Sequence, residues 1–454
     1  YPEALLTFEK NYPDAKVLLM EENFRSDARI VLAADRFIQK NTLRHEKHMK
    51  AARKPASDIR EISLRSRKAQ YTYLAKLAEG CTSQTAILYR DNECILPLVD
   101  LLERNGIPYQ MRNAELSFFS HRTILDIINI IKLAQNPMDT EAFLQIYYKI
   151  GTYLRKQDAI RIARISEEKR IPVLDVAAED PDLNGHVLGS VRSMRTHLQN
   201  LLQDSGERAL YRIMQYMGYQ EYLNRSGLSD SKLEILRILG SRADSPMELA
   251  ERLEQLKVLI REKEPDRKCP LILSTIHASK GLEYDSVYLI DVADGILPES
   301  IPQNLHQASA EELKAYEEER RLFYVGVTRA KDHLTLFTTN RPSTFCSEFL
   351  GKSSVTEEGR KNLMPVESRI SRTFKQARPY AAVAGIRQTK ASEELYFRLK
   401  EELGTGVIVE HKKYGEGVVT QLDDRLVHIM FQDDTLRMMD LKILANAGLL
   451  KVKK

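Results

Sequence analysis

An α/β fold is what the sequence predicts: a parallel-sheet domain carrying an all-helical insert, with a small β-barrel behind it. Three observations lead there. Short apolar runs alternate with helical stretches over 1–110 and again over 269–352; strand signals almost vanish over 111–268; and four short alternating runs crowd into 404–454. Alternation of strands and helices argues for a parallel sheet covered by helices, whereas short strands separated by turn residues argue for a small closed sheet. At 454 residues the chain has room for roughly three domains.

Taken in order, residues 16–20 read as a strand and 27–39 as a helix that Ser26 can cap, with Ala28, Val31, Leu32 and Ile38 facing inward. Thr85–Tyr89 reads as a second strand and 95–105 as a second helix, closed by Gly106. Within the insert, 123–133, 140–150, 187–202, 233–239 and 247–261 read as helices. The last has the clearest start, because Ser245-Pro246-Met247-Glu248 forms a capping box with proline at the first helical position. Leu249, Leu253, Leu256 and Ile260 then recur on one face. Strands resume at 271–276 and 287–292, joined by the glycine-containing turn 277–285, and are followed by a helix over 317–330 and a strand over 333–337. Arg360, Lys361, Arg369, Arg372, Lys375, Arg378, Arg387 and Lys390 then gather among few large apolar residues, marking 353–403 as a flexible basic linker. Strands over 407–410, 417–421, Leu426–Phe431 and 436–441 turn at Asp423-Asp424 and Asp433-Asp434.

Composition excludes little. Lys+Arg 68 against Asp+Glu 64 leaves a formal charge of +4, which permits a nucleic-acid partner without requiring one. No apolar run reaches the ~18–20 residues of a membrane span, and no signal segment opens the chain, so a cytoplasmic protein without a membrane partner is expected. Cys81, Cys94, Cys269 and Cys346 lie too far apart for zinc spacing and read as reduced thiols. His45 and His48 sit among Arg44, Lys47 and Lys50, which would repel a cation; they read as a solvated helix face, and no metal ligand is assigned.

The residues able to carry chemistry fall where strands give way to loops and where a helix ends, the places ligands occupy in parallel sheets. Glu21-Glu22-Asn23-Phe24-Arg25-Ser26 resembles motif IV (NYRS) of the UvrD/Rep-type superfamily 1 DNA helicases, with Phe24 in place of tyrosine. Lys280-Gly281-Leu282-Glu283 resembles the KGLE of motif V, and Val325-Gly326-Val327-Thr328-Arg329-Ala330 resembles motif VI almost residue for residue. Tyr89, Arg90 and Asn92 with Gly106-Ile107-Pro108-Tyr109 resemble the family's YRxNxQSR…IPY segment, although Glu93-Cys94-Ile95 replaces QSR. In the insert, Lys149-Ile150-Gly151-Thr152 keeps one glycine of the family's GIG hairpin. His411-Lys412-Lys413-Tyr414-Gly415-Glu416-Gly417-Val418-Val419 resembles the Tudor-like C-terminal domain of the UvrD/PcrA branch. Each residue alone has a plainer role: Arg329 as a cation at a helix C-terminus, Arg25 as a surface charge, Glu283 as a loop acid. Their occurrence together in family order favours the helicase reading.

The resemblance implies a second RecA-like motor domain (1–110 and 269–352), an inserted helical subdomain (111–268), the basic linker, and a Tudor/SH3-like barrel (404–454). It implies ATP with Mg2+ as cofactors, Arg25 and Arg329 on the γ-phosphate, and Lys280, Gly281 and Glu283 at the nucleotide, with Glu283 on the ribose. Thr275, His277 and Arg90 would lie on single-stranded DNA. Single-stranded DNA, a duplex junction and RNA polymerase through 404–454 are the implied partners, and 3′ to 5′ translocation the implied movement. A P-loop, GxxxxGK[ST], is missing: Gly351-Lys352-Ser353 is the one GKS, and Cys346 stands where the first glycine belongs. Residues 1–13 resemble the segment after motif III, which implies a preceding lobe with the P-loop and an inactive chain without it. Two rivals are a RecB/AddA-type helicase–nuclease, which shares VxxTRAK text, and a non-catalytic interaction module acting through the barrel.

Overall fold

The computed structural model describes residues 8–352, except 15, 17, 43, 45–46, 57, 112–116, 228–230, 264–265, 267, 306 and 340–342. Further on it describes 399, 403, 407–412, 414–422, 426–431, 436–441, 444 and 449–452. The chain divides into two units, Tyr1–Gly359 and Arg360–Lys454.

In the first unit a short parallel ladder, β1 (Glu22–Asn23) with β2 (Lys50–Ala51), precedes a six-stranded sheet. Its strands are β3 (Arg60–Leu64), β4 (Thr85–Tyr89), β5 (Gln110–Met111), β6 (Leu271–Thr275), β7 (Tyr284–Leu289) and β8 (Ala330–Thr339), in spatial order β3-β8-β7-β4-β6-β5. Every pair is parallel. All five residues of β4 are buried, as expected of a central parallel strand covered on both faces. Because side chains alternate, Ala86 and Leu88 join one core while Ile87 and Tyr89 join the other.

After α1 (Phe8–Asn11), whose Phe8 is exposed, the helices that close the first core are α2 (Ala28–Ile38), α14 (Ala310–Val327) and α15 (Thr344–Leu350), through Phe37, Phe323 and Phe349. The second core runs from α3 (Arg67–Glu79) and α4 (Leu96–Arg104) without a break into the insert. The insert comprises α5 (Arg122–Gln135), α6 (Thr140–Ile146), α7 (Lys156–Lys169), α8 (Val173–Ala178), α9 (Gly185–Leu201), α10 (Gly206–Gln215), α11 (Tyr219–Ser226), α12 (Ser231–Gly240) and α13 (Pro246–Glu262). Leu249, Leu253, Leu256 and Ile260 are buried, as their spacing requires. Ion pairs fasten the insert to the sheet. Buried Asp100 on α4 accepts from Arg242 and Arg252, and Arg67 binds Asp291 in bidentate fashion while reaching Glu234 on α12.

Several expectations need correction. The apolar run 16–20 is not a strand at its described positions, and Leu18 and Met20 are 86% and 81% exposed. Asp27, not Ser26, caps α2, and Leu32 faces solvent while Ile30, Val31, Ala33, Ala34 and Phe37 point inward. Residues 147–150 fall outside α6, and 47–49 near His48 are not helical. α14 begins at Ala310 behind a Ser309/Glu312 capping box, seven positions before the expected start at 317. Gly351 is the left-handed residue closing α15, and Lys352 pairs with Glu61, so that these two residues end a helix.

The second unit is an antiparallel sheet of β9 (Ile408–His411), β10 (Gly415–Leu422), β11 (Leu426–Phe431), β12 (Leu436–Asp440) and β13 (Leu450–Val452), ordered β12-β11-β10-β9-β13. Val409, Val419, Val427, Ile429 and Phe431 form its core with Leu399 and Leu403, which fall in the span expected to be linker. Residues 353–398 of that linker lie outside the described residues. Gly417 has no room for a side chain: a Cβ there would lie 2.5 Å from Ile429 Cγ2 and 2.8 Å from the Met430 carbonyl.

Candidate functional site

The first residues of β7 and β8 lie side by side, with Tyr284 opposite Ala330 and the Tyr284 N–H donating to the Arg329 carbonyl at 3.0 Å. That register sets Glu283 beside Arg329 at the N-terminal edge of the sheet. The Asp27 N–H donates to the Lys331 carbonyl at 2.8 Å, which brings the turn before α2 to the same edge. Arg25 Nε then donates to Glu283 Oε2 at 2.8 Å, and Lys331 Nζ lies 3.4 Å from Glu283 Oε1 and 3.5 Å from Asp285 Oδ1. The Arg25 hydrogen bond, with Lys331 behind it, holds the Glu283 carboxyl below the usual range. Gly281 sits at φ +82°, the left-handed turn that lets the loop reach β7.

Arg329 is supplied differently. Its guanidinium donates to the Val325 carbonyl at 3.0 Å, the Leu282 carbonyl at 3.0 Å and Thr328 Oγ1 at 3.3 Å, with no carboxylate among these acceptors. Burial and the nearby Arg25 charge lower its pKa. Three cations thus meet at one edge around Glu283 and Asp285, and among the described residues the most desolvated one, Arg329, hydrogen-bonds to no carboxylate. This arrangement fits a polyanion such as a triphosphate. Among the described residues no group of three His, Cys, Asp or Glu side chains could hold a metal ion.

Thr275, His277 and Arg90 assemble at the opposite edge. Tyr89 and Thr275 are register partners at the ends of β4 and β6, and the Ile276 N–H donates to the Tyr89 carbonyl at 2.9 Å. Thr275 Oγ1 accepts from the Ala278 N–H at 3.1 Å. His277 is exposed, and partial desolvation with the charges of Lys280 and Arg90 lowers its pKa. Lys280 is therefore felt at this cluster. Arg90 is committed to carboxylates: Glu319 at 2.8 Å, Glu299 at 2.6 Å and Asp91 at 2.7 Å. One continuous segment, 275–283, links the two edges.

Two participants escaped sequence reading. Lys331 stands within the TRAK text, so its pattern was visible while its partner Glu283 was not. Arg53 donates to the Arg25 and Lys331 carbonyls, and backbone carbonyls leave no signature in a sequence.

The family model for the UvrD-like helicase C-terminal domain matches residues 18–341, which span both edges and the insert. The chain belongs to this family. It is similar to YjcD of Bacillus subtilis, 29% identical over 352 residues, 74% of this chain and 45% of that protein. It is also similar to the ATP-dependent DNA helicase PcrA of Staphylococcus epidermidis, 25% identical over 456 residues (93% of this chain, 60% of PcrA). The ATP-dependent DNA helicase Rep of Escherichia coli is 28% identical over 379 residues (76% and 54%). The chain spans about half the length of these relatives, 45% to 60%. This is a UvrD/Rep/PcrA-type chain whose parallel sheet and helices match the RecA-like domain expected. No helix among the described residues is long and apolar enough to cross a membrane.

Proposed function

We propose that this chain is the second motor lobe of an ATP-dependent helicase moving 3′ to 5′ on single-stranded DNA, and that it supplies cations to ATP bound by a P-loop lobe. The convergence of Arg25, Glu283 and Arg329, with no carboxylate among the hydrogen-bond acceptors of Arg329 in the described residues, carries this reading. Arg25 and Arg329 would offset charge spreading over the γ-phosphoryl oxygens, a role worth ~10³–10⁵ in rate in related chemistry. Glu283 and Gly281 would face the ribose side, and Lys280 would serve the loop between nucleotide and strand. Mg2+, held by the other lobe, would neutralise the phosphates. Thr275, His277 and Arg90 would track single-stranded DNA, with the duplex junction near the insert, so that 275–283 carries nucleotide state from one edge to the other.

In the full-length protein, Arg25→Ala and Arg329→Ala should each lower DNA-stimulated kcat by ~10²-fold or more while changing ATP affinity less, since the contacts are strongest in the transition state. Near-normal kcat in both variants would overturn the assignment.

A second reading gives the C-terminal unit a partner, RNA polymerase, on a closed Tudor-like barrel. An apolar row favours it: exposed Ile408, Val418 and Met430 are direct cross-strand partners on β9, β10 and β11.

A further inference from the structure

We infer that Arg53 is a positioning residue for the nucleotide edge: it sets where Arg25 stands relative to Arg329 and Lys331. This inference rests on the proposed role of Arg25. Arg53 Nη1 donates to the Arg25 carbonyl at 2.6 Å and to the Lys331 carbonyl at 3.1 Å, and Nη2 lies 2.5 Å from Asp332 Oδ1. One planar group thus ties together two segments 306 positions apart (331 − 25), each carrying part of the cation cluster.

Its surroundings leave it little alternative. The Ala52 N–H donates to the Asn23 carbonyl at 3.0 Å, and the Ala56 N–H donates to Asp27 Oδ2 at 2.5 Å, so the segment bearing Arg53, just after β2, is laid along 23–27 from both ends. Asn23 Oδ1 accepts from the Arg25 N–H at 2.9 Å. The backbone N–H and carbonyl of Arg25 are therefore both held by side chains, and its own side chain leaves toward Glu283. A guanidinium can serve two carbonyls and a carboxylate at once because its donors form a rigid fork; an ammonium on a flexible stem cannot hold that geometry. Arg53 itself does not reach the Glu283 carboxylate or any of the acceptors of Arg329. It acts through Arg25. Small displacements of a positioned group cost ~10²-fold in rate at the extreme, and a tilt of Arg25 about its own carbonyl falls short of that.

The test uses the full-length protein with single-stranded DNA, and compares Arg53→Ala, Arg53→Lys, Arg25→Ala and the Arg25→Ala/Arg53→Ala pair in a double-mutant cycle. Arg53→Ala should lower kcat about tenfold with the ATP KM within about twofold. Arg53→Lys should fall between it and the parent. The pair should be no slower than Arg25→Ala alone, because a positioning residue has nothing left to position. Multiplying effects in the pair would overturn the inference, as would near-parental kcat in Arg53→Ala beside a slow Arg25→Ala. A parental Arg25→Ala would instead overturn the proposed function itself. Circular dichroism checks folding; if Arg53→Ala is unfolded, Arg53→Lys carries the same cycle, with the same outcomes deciding.

Discussion

Arg25 Nε lies 2.8 Å from Glu283 Oε2, a contact between residues 258 positions apart in sequence. It spans the insertion of the whole helical subdomain, so the fold must close its sheet before the nucleotide edge exists. Glu283 has both oxygens engaged, one by Arg25 and the other by Lys331. Its removal releases two cations at once.

Glu283→Ala in the full-length protein should therefore raise the ATP KM by about tenfold and change kcat by less than about threefold, the pattern of lost binding rather than lost transition-state contact. Glu283→Gln keeps the shape and one acceptor, and should fall in between. Steady-state ATPase assays with saturating single-stranded DNA separate the two constants. A pure kcat loss would place Glu283 in the chemistry instead.

The 454-residue chain alone should hydrolyse ATP negligibly, with or without single-stranded DNA, because its sequence contains no P-loop to cradle the phosphates. Turnover of about 1 s⁻¹ or more, within the ordinary enzyme range, from pure protein would contradict this.

What the sequence disclosed follows from how locally each feature is encoded. β4 and the face of α13 were legible because burial imposes short periods on neighbouring residues. α3 was not: it mixes Arg67, Lys68, Gln70 and Lys76 with buried Tyr71 and Leu74, and Arg67 itself points inward to Asp291. Its core face is partly polar, so the apolar stripe is broken. The run at 16–20 misled for the opposite reason, since apolar residues there meet nothing among the described residues to pair with. Arg25, Glu283 and Arg329 were named from motif text, and their meeting at one edge is visible only after folding. Arg90 was expected on DNA, and besides its neighbour Asp91 its carboxylate partners Glu299 and Glu319 come from segments that no local pattern connects to it.

Arg67→Ala should destabilise the first unit by about 3–5 kcal/mol, the usual cost of removing one partner from a buried pair. Asp291 is buried at φ +56° and also accepts from Gln70 at 2.8 Å, so the lost cation leaves a carboxylate with only neutral donors. The urea midpoint of the chain reports this. A shift equivalent to less than about 1 kcal/mol would mean that water replaces the guanidinium.

Stability should also fall on mild acidification, and His277 should contribute. Its folded pKa lies below the ordinary imidazole value, so the unfolded chain takes up the proton first. Above about pH 7 both states are neutral there and the residue adds no pH dependence. As pH drops from about 6.5 through the folded pKa, protonation favours the unfolded state and stability is lost. His277→Gln should narrow the difference in melting temperature between pH 7.5 and pH 5.5 (chosen on about either side of that window). His121 and His197 shift the same way and leave a remainder. An unchanged difference would mean that the imidazole is fully hydrated.

The C-terminal sheet gives the last test. Ile408, Val418 and Met430 line one outer face, and the next row of the same face carries Glu416, Glu410 and Lys451 as successive register partners. An exposed apolar row bordered by charged residues of both signs suits a partner surface with an apolar centre and a polar rim. Val418→Asp should leave the sheet folded, because Val418 is 42% exposed while the core lies on the opposite face with Val419 at 0%. It should nonetheless abolish recovery of RNA polymerase from a lysate, as should removal of 396–454. The basic stretch 353–395 should add only weak DNA affinity that fades with salt, since its lysines and arginines would act through counterion release. Equal polymerase recovery by the intact chain and the truncated one would leave the C-terminal sheet as a stabilising appendage. Loss on truncation with full recovery by Val418→Asp would move the contact to another face of the same unit.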